Sequence, residues 1–149
     1  MKRRGWLSAA LFVSIIAITG NACKKDDVNL PYREYRLYNY SSGSAVDAGF
    51  FRVQQLSDSN SKIYVSLNQA YRTPNVQFAV TLNTQDTSGG EFVYSNLGNM
   101  EGSKGELIVQ PVIATATNQP IRYTELIQKV GYFVKVMSGS NVQARGTIE

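Results

Sequence analysis

Histidine is absent from all 149 residues. The commonest metal ligand and the commonest general base are therefore missing, which excludes Ser-His-Asp and Cys-His catalysis and the usual zinc constellations. There is one cysteine, Cys23, so no disulfide can form within the chain and stability must come from packing. No Gly-x-Ser-x-Gly nucleophile motif and no spaced-oxygen calcium loop occurs. Long apolar runs are also lacking. The longest, Trp6 to Ile18, is interrupted by Ser8 and Ser14 and falls short of the ~20 residues that a spanning helix needs.

What is present begins with a basic start (Lys2, Arg3, Arg4), that apolar run, and a small-residue exit, Thr19-Gly20-Asn21-Ala22. This is the layout of a secretory signal peptide, whose small residues let a peptidase draw extended backbone into its site. Cys23 follows at once, and then four charges, Lys24-Lys25-Asp26-Asp27. The pattern resembles the bacterial lipobox, in which the cysteine thiol is diacylglycerylated before cleavage; where the usual box has Leu, this chain has Gly20. A lysine followed by acidic residues resembles Bacteroidetes-type lipoproteins, where such a run is associated with display on the outer surface. The resemblance implies a signal peptide over residues 1–22, a lipidated tether over 23–31, and an outer-membrane lipoprotein held by its lipid. Each buried methylene contributes about 0.8 kcal/mol, so two or more acyl chains hold firmly where one binds only marginally.

Loss of the leader changes the charge balance. The whole chain carries 15 basic and 11 acidic residues; without Lys2, Arg3 and Arg4, 12 basic residues face 11 acidic ones. The remaining basic residues are scattered singly, which is not the clustered footprint of a nucleic-acid binder. About 115 residues follow the tether, enough for one domain that buries roughly two-thirds of its extended surface. One domain is expected over 32–149.

From Tyr32 onward the hydrophobic period is two, in short runs broken by Gly, Asn, Ser and Pro clusters. Strands are predicted over 32–40, 49–56, 62–67, 76–82, 91–94, 107–114, 132–137 and 142–148, with turns at 84–90 and 98–105. Ile63, Val65 and Leu67 read as inward, as do Val76, Phe78, Val80 and Leu82. Pro111 cannot donate to a ladder, which predicts an edge strand or a bulge. Between Thr124 and Val130 the period changes: Thr124 can cap, Glu125 lies in the first turn, Lys129 in the last, and Gly131 can end a helix. An all-β fold is predicted, an antiparallel β-sandwich with one short helix near residues 124–130. A closed barrel is the alternative, because both bury alternate residues.

The segment Ile121 to Ser138, with its Tyr123-Thr124-Glu125-Leu126-Ile127 helix and Gly131-Tyr132 pair, and the closing Ala144-Arg145-Gly146-Thr147-Ile148 resemble the end of the CHRD (chordin-type) domain. Gly49-Phe50-Phe51-Arg52-Val53 resembles its opening hairpin more loosely. The resemblance implies an immunoglobulin-like or CHRD-like extracellular sandwich. Where that family commonly carries histidine in the penultimate strand this chain has Val136, so no metal role is carried over.

Nine tyrosines invite a binding role, since an aromatic face with a polar tip packs on sugar rings and on protein partners. Tyr32, Tyr35, Tyr38 and Tyr40 are the candidate ligand-binding residues, although tyrosine is also a favoured strand residue that needs no ligand. Asp86, Glu91 and Glu101 sit in or beside polar loops, where solvated turns are the simpler reading than calcium ligands. No metal, cofactor or catalytic residue is expected. The expected function is a non-catalytic, lipid-anchored envelope module that binds a protein or a glycan. The alternative is a small hydrolase using carboxylates and tyrosine on envelope or extracellular glycans.

Overall fold

The computed structural model describes residues 29–149, so Cys23, Lys24, Lys25, Asp26 and Asp27, with the leader before them, lie outside the described residues. Eight strands and one helix follow in chain order: β1 (Tyr32–Asn39), β2 (Val46–Gln55), β3 (Ser61–Leu67), β4 (Gln77–Gln85), β5 (Glu91–Glu101), β6 (Glu106–Val109), α1 (Tyr123–Gln128), β7 (Phe133–Ser138) and β8 (Asn141–Thr147). The fold is all-β and antiparallel with one short helix. All eight strands belong to one sheet in the order β5-β4-β7-β8-β1-β2-β3-β6.

That sheet curls until its edges meet. β5 and β6 lie at opposite ends of the ladder, yet only residues 102–105 separate them in the chain. Beyond β6, the irregular segment fills the gap: Thr115 N donates to Tyr94 O at 2.9 Å, and Ser95 Oγ donates to Ile113 O at 2.6 Å. The result is sandwich-like and nearly a closed barrel, with a single core on the concave side. Ile63, Val65, Leu67, Phe78, Val80, Leu82, Val134 and Val136 all point into it and are buried, as the alternation requires. Val76 is half-buried at the edge of this core. α1 adds Tyr123 and Leu126 to it.

β2 starts earlier than predicted, at Val46, and β4 runs on to Gln85, into the expected turn; three further segments differ from those predicted. The segment expected as a short strand at 91–94 and a turn from 98 is a single strand of 11 residues, β5. Its register against β4 slips past Leu97, pairing Val80 with Gly98 and Thr81 with Asn96, so Ser95 and Leu97 are buried on one phase and Met100 on the other. A bulge inserts one residue and shifts the inward phase, which erases strict alternation. The predicted 107–114 strand is shorter: β6 ends at Val109, pairs only with β3, and leaves Pro111 outside the ladder. Pro111 thus follows an edge strand, where its missing N–H costs nothing. The helix is shifted to Tyr123–Gln128, with Arg122 at the N-cap and no side-chain cap bond from Thr124. Tyr123 N is instead satisfied by Ser59 O at 3.1 Å, and the chain turns extended at Lys129 before Gly131 at φ 102°.

Candidate functional site

The outer face of β7, β8 and β1 carries the most structured cluster of side chains. Tyr38 of β1 is paired across the ladder with Arg145 of β8, and Arg145 with Lys135 of β7, so the three share one row. Two bulges bring them there. Opposite Val136 and Met137 of β7 the register of β8 shifts, an irregularity that takes up Gln143, whose carbonyl accepts Asn39 Nδ2 at 2.7 Å. In β2 the register shifts opposite Leu37 and Tyr38, where Asp47 Oδ1 accepts Gly49 N at 3.0 Å. Gly146 lets β8 approach β1 closely; a Cβ there would lie 2.2 Å from Arg36 O.

Phe133 anchors the row from below. It sits on the outer phase of β7, opposite to core residues Val134 and Val136, yet is only 1% exposed. The Arg145 guanidinium covers it, 3.9 Å from the ring centroid, and Lys135 Nζ lies 6.0 Å from the same ring. A cation over an aromatic face is attracted by the ring quadrupole, about 0.5–1 kcal/mol when exposed and more when desolvated. Glu91 at the start of β5 ties both cations: Arg145 Nη1 donates at 2.7 Å and Lys135 Nζ at 2.8 Å. The hydrogen bond from Lys135, with the nearby Arg145 charge adding to it, holds the Glu91 carboxyl below its ordinary value of 4.5 against the opposing effect of burial.

The sign of the linkage follows from that depressed value. Glu91 contributes stability that is present above its unfolded value and is lost as pH falls through its lower folded value. The stability difference between the wild type and Glu91→Gln is therefore expected to be constant from pH 7 to about 5 and to shrink below the ordinary carboxylate range. Urea unfolding midpoints across that range measure it; a difference that grows on acidification would contradict the assignment.

Against the side of this row lies a groove of about 340 Å³, lined by Tyr38, Tyr40, Arg36, Arg145, Thr147 and Glu34 among others. A wider depression of about 560 Å³ shares Tyr40, Arg145 and Thr147 and extends to Lys135 and Val142. Tyr38 and Tyr40 stand with ring centroids 6.4 Å apart and planes tilted by 57°. Tyr40 is 53% exposed at the first residue of the turn that closes with Gly43 N donating to its carbonyl. Three of the charged side chains around the groove are already matched, Arg36 with Asp47 at 3.3 Å, Glu34 with Arg52 at 2.9 Å, and Arg145 with Glu91, while Glu149 has no ion pair among the described residues.

No family model, curated protein or solved structure matches the chain. The site is therefore read from its own geometry.

Of the four candidate tyrosines, the structure brings Tyr38 and Tyr40 together and separates the others. Tyr35 borders the groove, but its ring stacks on buried Phe51 at 5.1 Å, and its buried hydroxyl has no partner among the described residues. Burial pushes that phenol up from its ordinary value. Tyr32 lies at the other end of β1 under the Arg52 guanidinium, 4.5 Å from its ring centroid. The loop carboxylates are not gathered. Asp86 accepts Ser88 N, Ser88 Oγ and Gly90 N within its own turn, and these bonds, the Ser88 hydroxyl first, depress its carboxyl. Glu101 is held by Lys104 at 2.7 Å at the far end of β5 from Glu91. Among the described residues, no three Cys, Asp or Glu side chains converge in a way that could hold a metal ion.

A tyrosine and a carboxylate do meet outside the groove. Tyr94 Oη donates to Glu125 Oε1 at 2.5 Å, beside the Tyr132 ring at 4.9 Å, while Lys129 Nζ lies 3.6 Å from the same carboxylate. Burial first, then the bond to Glu125, pushes the Tyr94 phenol well above its ordinary value. A phenol so strongly held in its protonated form is a poor nucleophile and a poor base. The pair instead fastens α1 to β5.

The residues that sequence reasoning missed here are Arg36, Arg145 and Thr147 around Tyr38, with Lys135 and Glu91 in the ion pairs that hold Arg145. For Lys135, Arg145 and Thr147 the signal is the outward phase of β7 and β8, which the bulge at Gln143 displaces.

Proposed function

We propose that this chain is a lipid-anchored cell-envelope module that binds its ligand in the outer groove between Tyr38, Tyr40 and Arg145, without chemistry of its own. The observation that carries the reading is the position of that groove. Pro31, the last residue of the tether, is fixed where its carbonyl accepts Gln55 N at 2.9 Å, and β1 then runs from Tyr32 to Asn39. Tyr38 is six residues further on, about 20 Å along an extended strand. An anchor at Cys23 thus leads into the start of β1, and the groove lies further along the strand, from Glu34 to Tyr40. The aromatic pair, Tyr38 on β1 and Tyr40 at the turn directly after it, is the kind of preformed surface that binding sites use.

The motif shared with the CHRD resemblance also supports this reading. Ala144 and Ile148 are buried in the core, Gly146 permits the close approach of β8 to β1, and Arg145 forms the groove wall. Ala144, Gly146 and Ile148 serve the fold, and Arg145 and Thr147 line the groove.

The detergent-solubilised full chain is expected to co-sediment with insoluble envelope material. Replacing Tyr38 and Tyr40 together by Ala is expected to weaken that association by roughly tenfold or more, as truncation of aromatic anchors does. Both side chains lie outside the core, so circular dichroism of the variant should be unchanged. Association of undiminished strength would sink the groove as the binding site.

A further inference from the structure

We infer that the groove takes a neutral carbohydrate chain; this rests on the reading of the groove as the binding site and names its ligand class. The inference starts from charge. Arg36, Arg145 and Glu34 border the cleft, and each already has an opposite charge at 3.3, 2.7 and 2.9 Å respectively; Glu149 lines it as well, with no ion pair among the described residues. A ligand carboxylate or phosphate would have to compete with Asp47 or Glu91 for its guanidinium, and would meet Glu34 on the same wall. A ligand ammonium would find the Glu149 carboxylate but would meet the Arg36 and Arg145 guanidiniums beside it, and a ligand anion would meet Glu149 as well as Glu34. With both signs on the wall, neither sign of ligand charge gains what a wall of one sign would offer.

Hydroxyl groups face no such conflict. A sugar hydroxyl both donates and accepts, so it can bond a carboxylate lone pair of Glu34 and a free N–H of Arg145 without breaking either pair. Thr147 adds a hydroxyl of its own to the lining.

The aromatic geometry points the same way. Tyr38 and Tyr40 are tilted by 57° at 6.4 Å, so they form an open angle rather than two parallel walls. A flat aromatic ligand cannot stack on both rings at once, because stacking needs near-parallel planes. A puckered ring presents C–H groups in more than one direction and can lie against both.

The extent of the cleft favours a chain over a single ring. The groove of about 340 Å³ continues past Tyr40, Arg145 and Thr147 into the depression of about 560 Å³ that reaches Lys135 and Val142.

The test applies the full chain, solubilised in detergent, to a panel of neutral oligosaccharides, acidic oligosaccharides and charged peptides at low and high salt. Binding to neutral oligosaccharides is expected, with affinity changed less than about twofold between 0.05 and 0.5 M salt, since uncharged contacts are not screened. Tyr40→Ala is expected to lose roughly tenfold or more of that affinity. Free oligosaccharide should compete the protein off the panel; binding only to the same sugars carried on glycolipid vesicles would overturn the carbohydrate chain as ligand. Salt-sensitive binding confined to acidic glycans or to peptides, and weakened by Tyr40→Ala, would overturn the neutral-carbohydrate inference while leaving the groove as the site. Binding insensitive to Tyr40→Ala, or no binding to any panel member, would overturn the inference, and the first of these would remove the groove as well.

Discussion

Gly146→Val is expected to abolish the native fold, or to lower its stability by about 3 kcal/mol or more, because it strikes the seam on which the sheet depends. Between β8 and β1 the sheet joins two halves, β5-β4-β7-β8 and β1-β2-β3-β6. At that seam a Cβ on residue 146 would lie 2.2 Å from Arg36 O and 2.9 Å from Phe51 Cε1. The first contact is with backbone and the second with a fully buried ring, so neither can give way cheaply. Valine adds two methyl groups to the same clash. The only relief is to part the strands, which opens the core and breaks the Tyr38 to Arg145 pairing that builds the groove. Urea unfolding monitored by circular dichroism measures this; a midpoint within experimental error of the wild type would contradict the packing described.

The second large effect concerns attachment. If Cys23 carries the lipid, Cys23→Ser removes every acyl chain at once, since this is the only cysteine. Membrane binding scales at about 0.8 kcal/mol per buried methylene, so the loss is expected to be nearly complete. Metabolic labelling with a fatty-acid probe should fall to background, and the protein should leave the membrane fraction. Retained label in Cys23→Ser would dispose of the lipoprotein reading. The domain itself should be unaffected, because β1 and everything after it fold around a core that contains no cysteine.

The strands that sequence alone places best are those whose ladders run without interruption. Ile63, Val65 and Leu67 pair in an unbroken register with β2, and Phe78 and Val80 alternate cleanly before the first slip in β4. Period two is legible there because the pleat is undisturbed. β5 was not legible as one strand, since the irregularity at Leu97 changes which residues face inward. Asn96 and Gly98, whose types signal a turn, instead shape a bulge, with Asn96 Oδ1 accepting Gly98 N at 3.1 Å.

The groove was harder still. Tyr38 and Tyr40 are two of the four tyrosines that the sequence offers in its first strand, and the structure keeps these two together. Their partners come from the end of the chain, more than a hundred residues away, through a β1–β8 pairing that no local pattern announces. Even within the β7–β8 hairpin, a regular count from Ser138 and Asn141 would set Lys135 opposite Ala144; the bulge at Gln143 sets it opposite Arg145 instead. Phe133 shows the same limit from another side. Alternation places it outward, yet the Arg145 guanidinium on its ring, with Lys135 nearby, covers it.

The most direct measurement is hydroxyl-radical footprinting of the tyrosines, with the full chain free and bound to envelope material. Tyr40 and Tyr38 line the groove, whereas Tyr32 and Tyr64 belong to other parts of the outer surface. Binding in the groove requires that oxidation of Tyr38 and Tyr40 fall on association while that of Tyr32 and Tyr64 stays constant. Protection at Tyr32 or Tyr64 with Tyr38 and Tyr40 unchanged would contradict it.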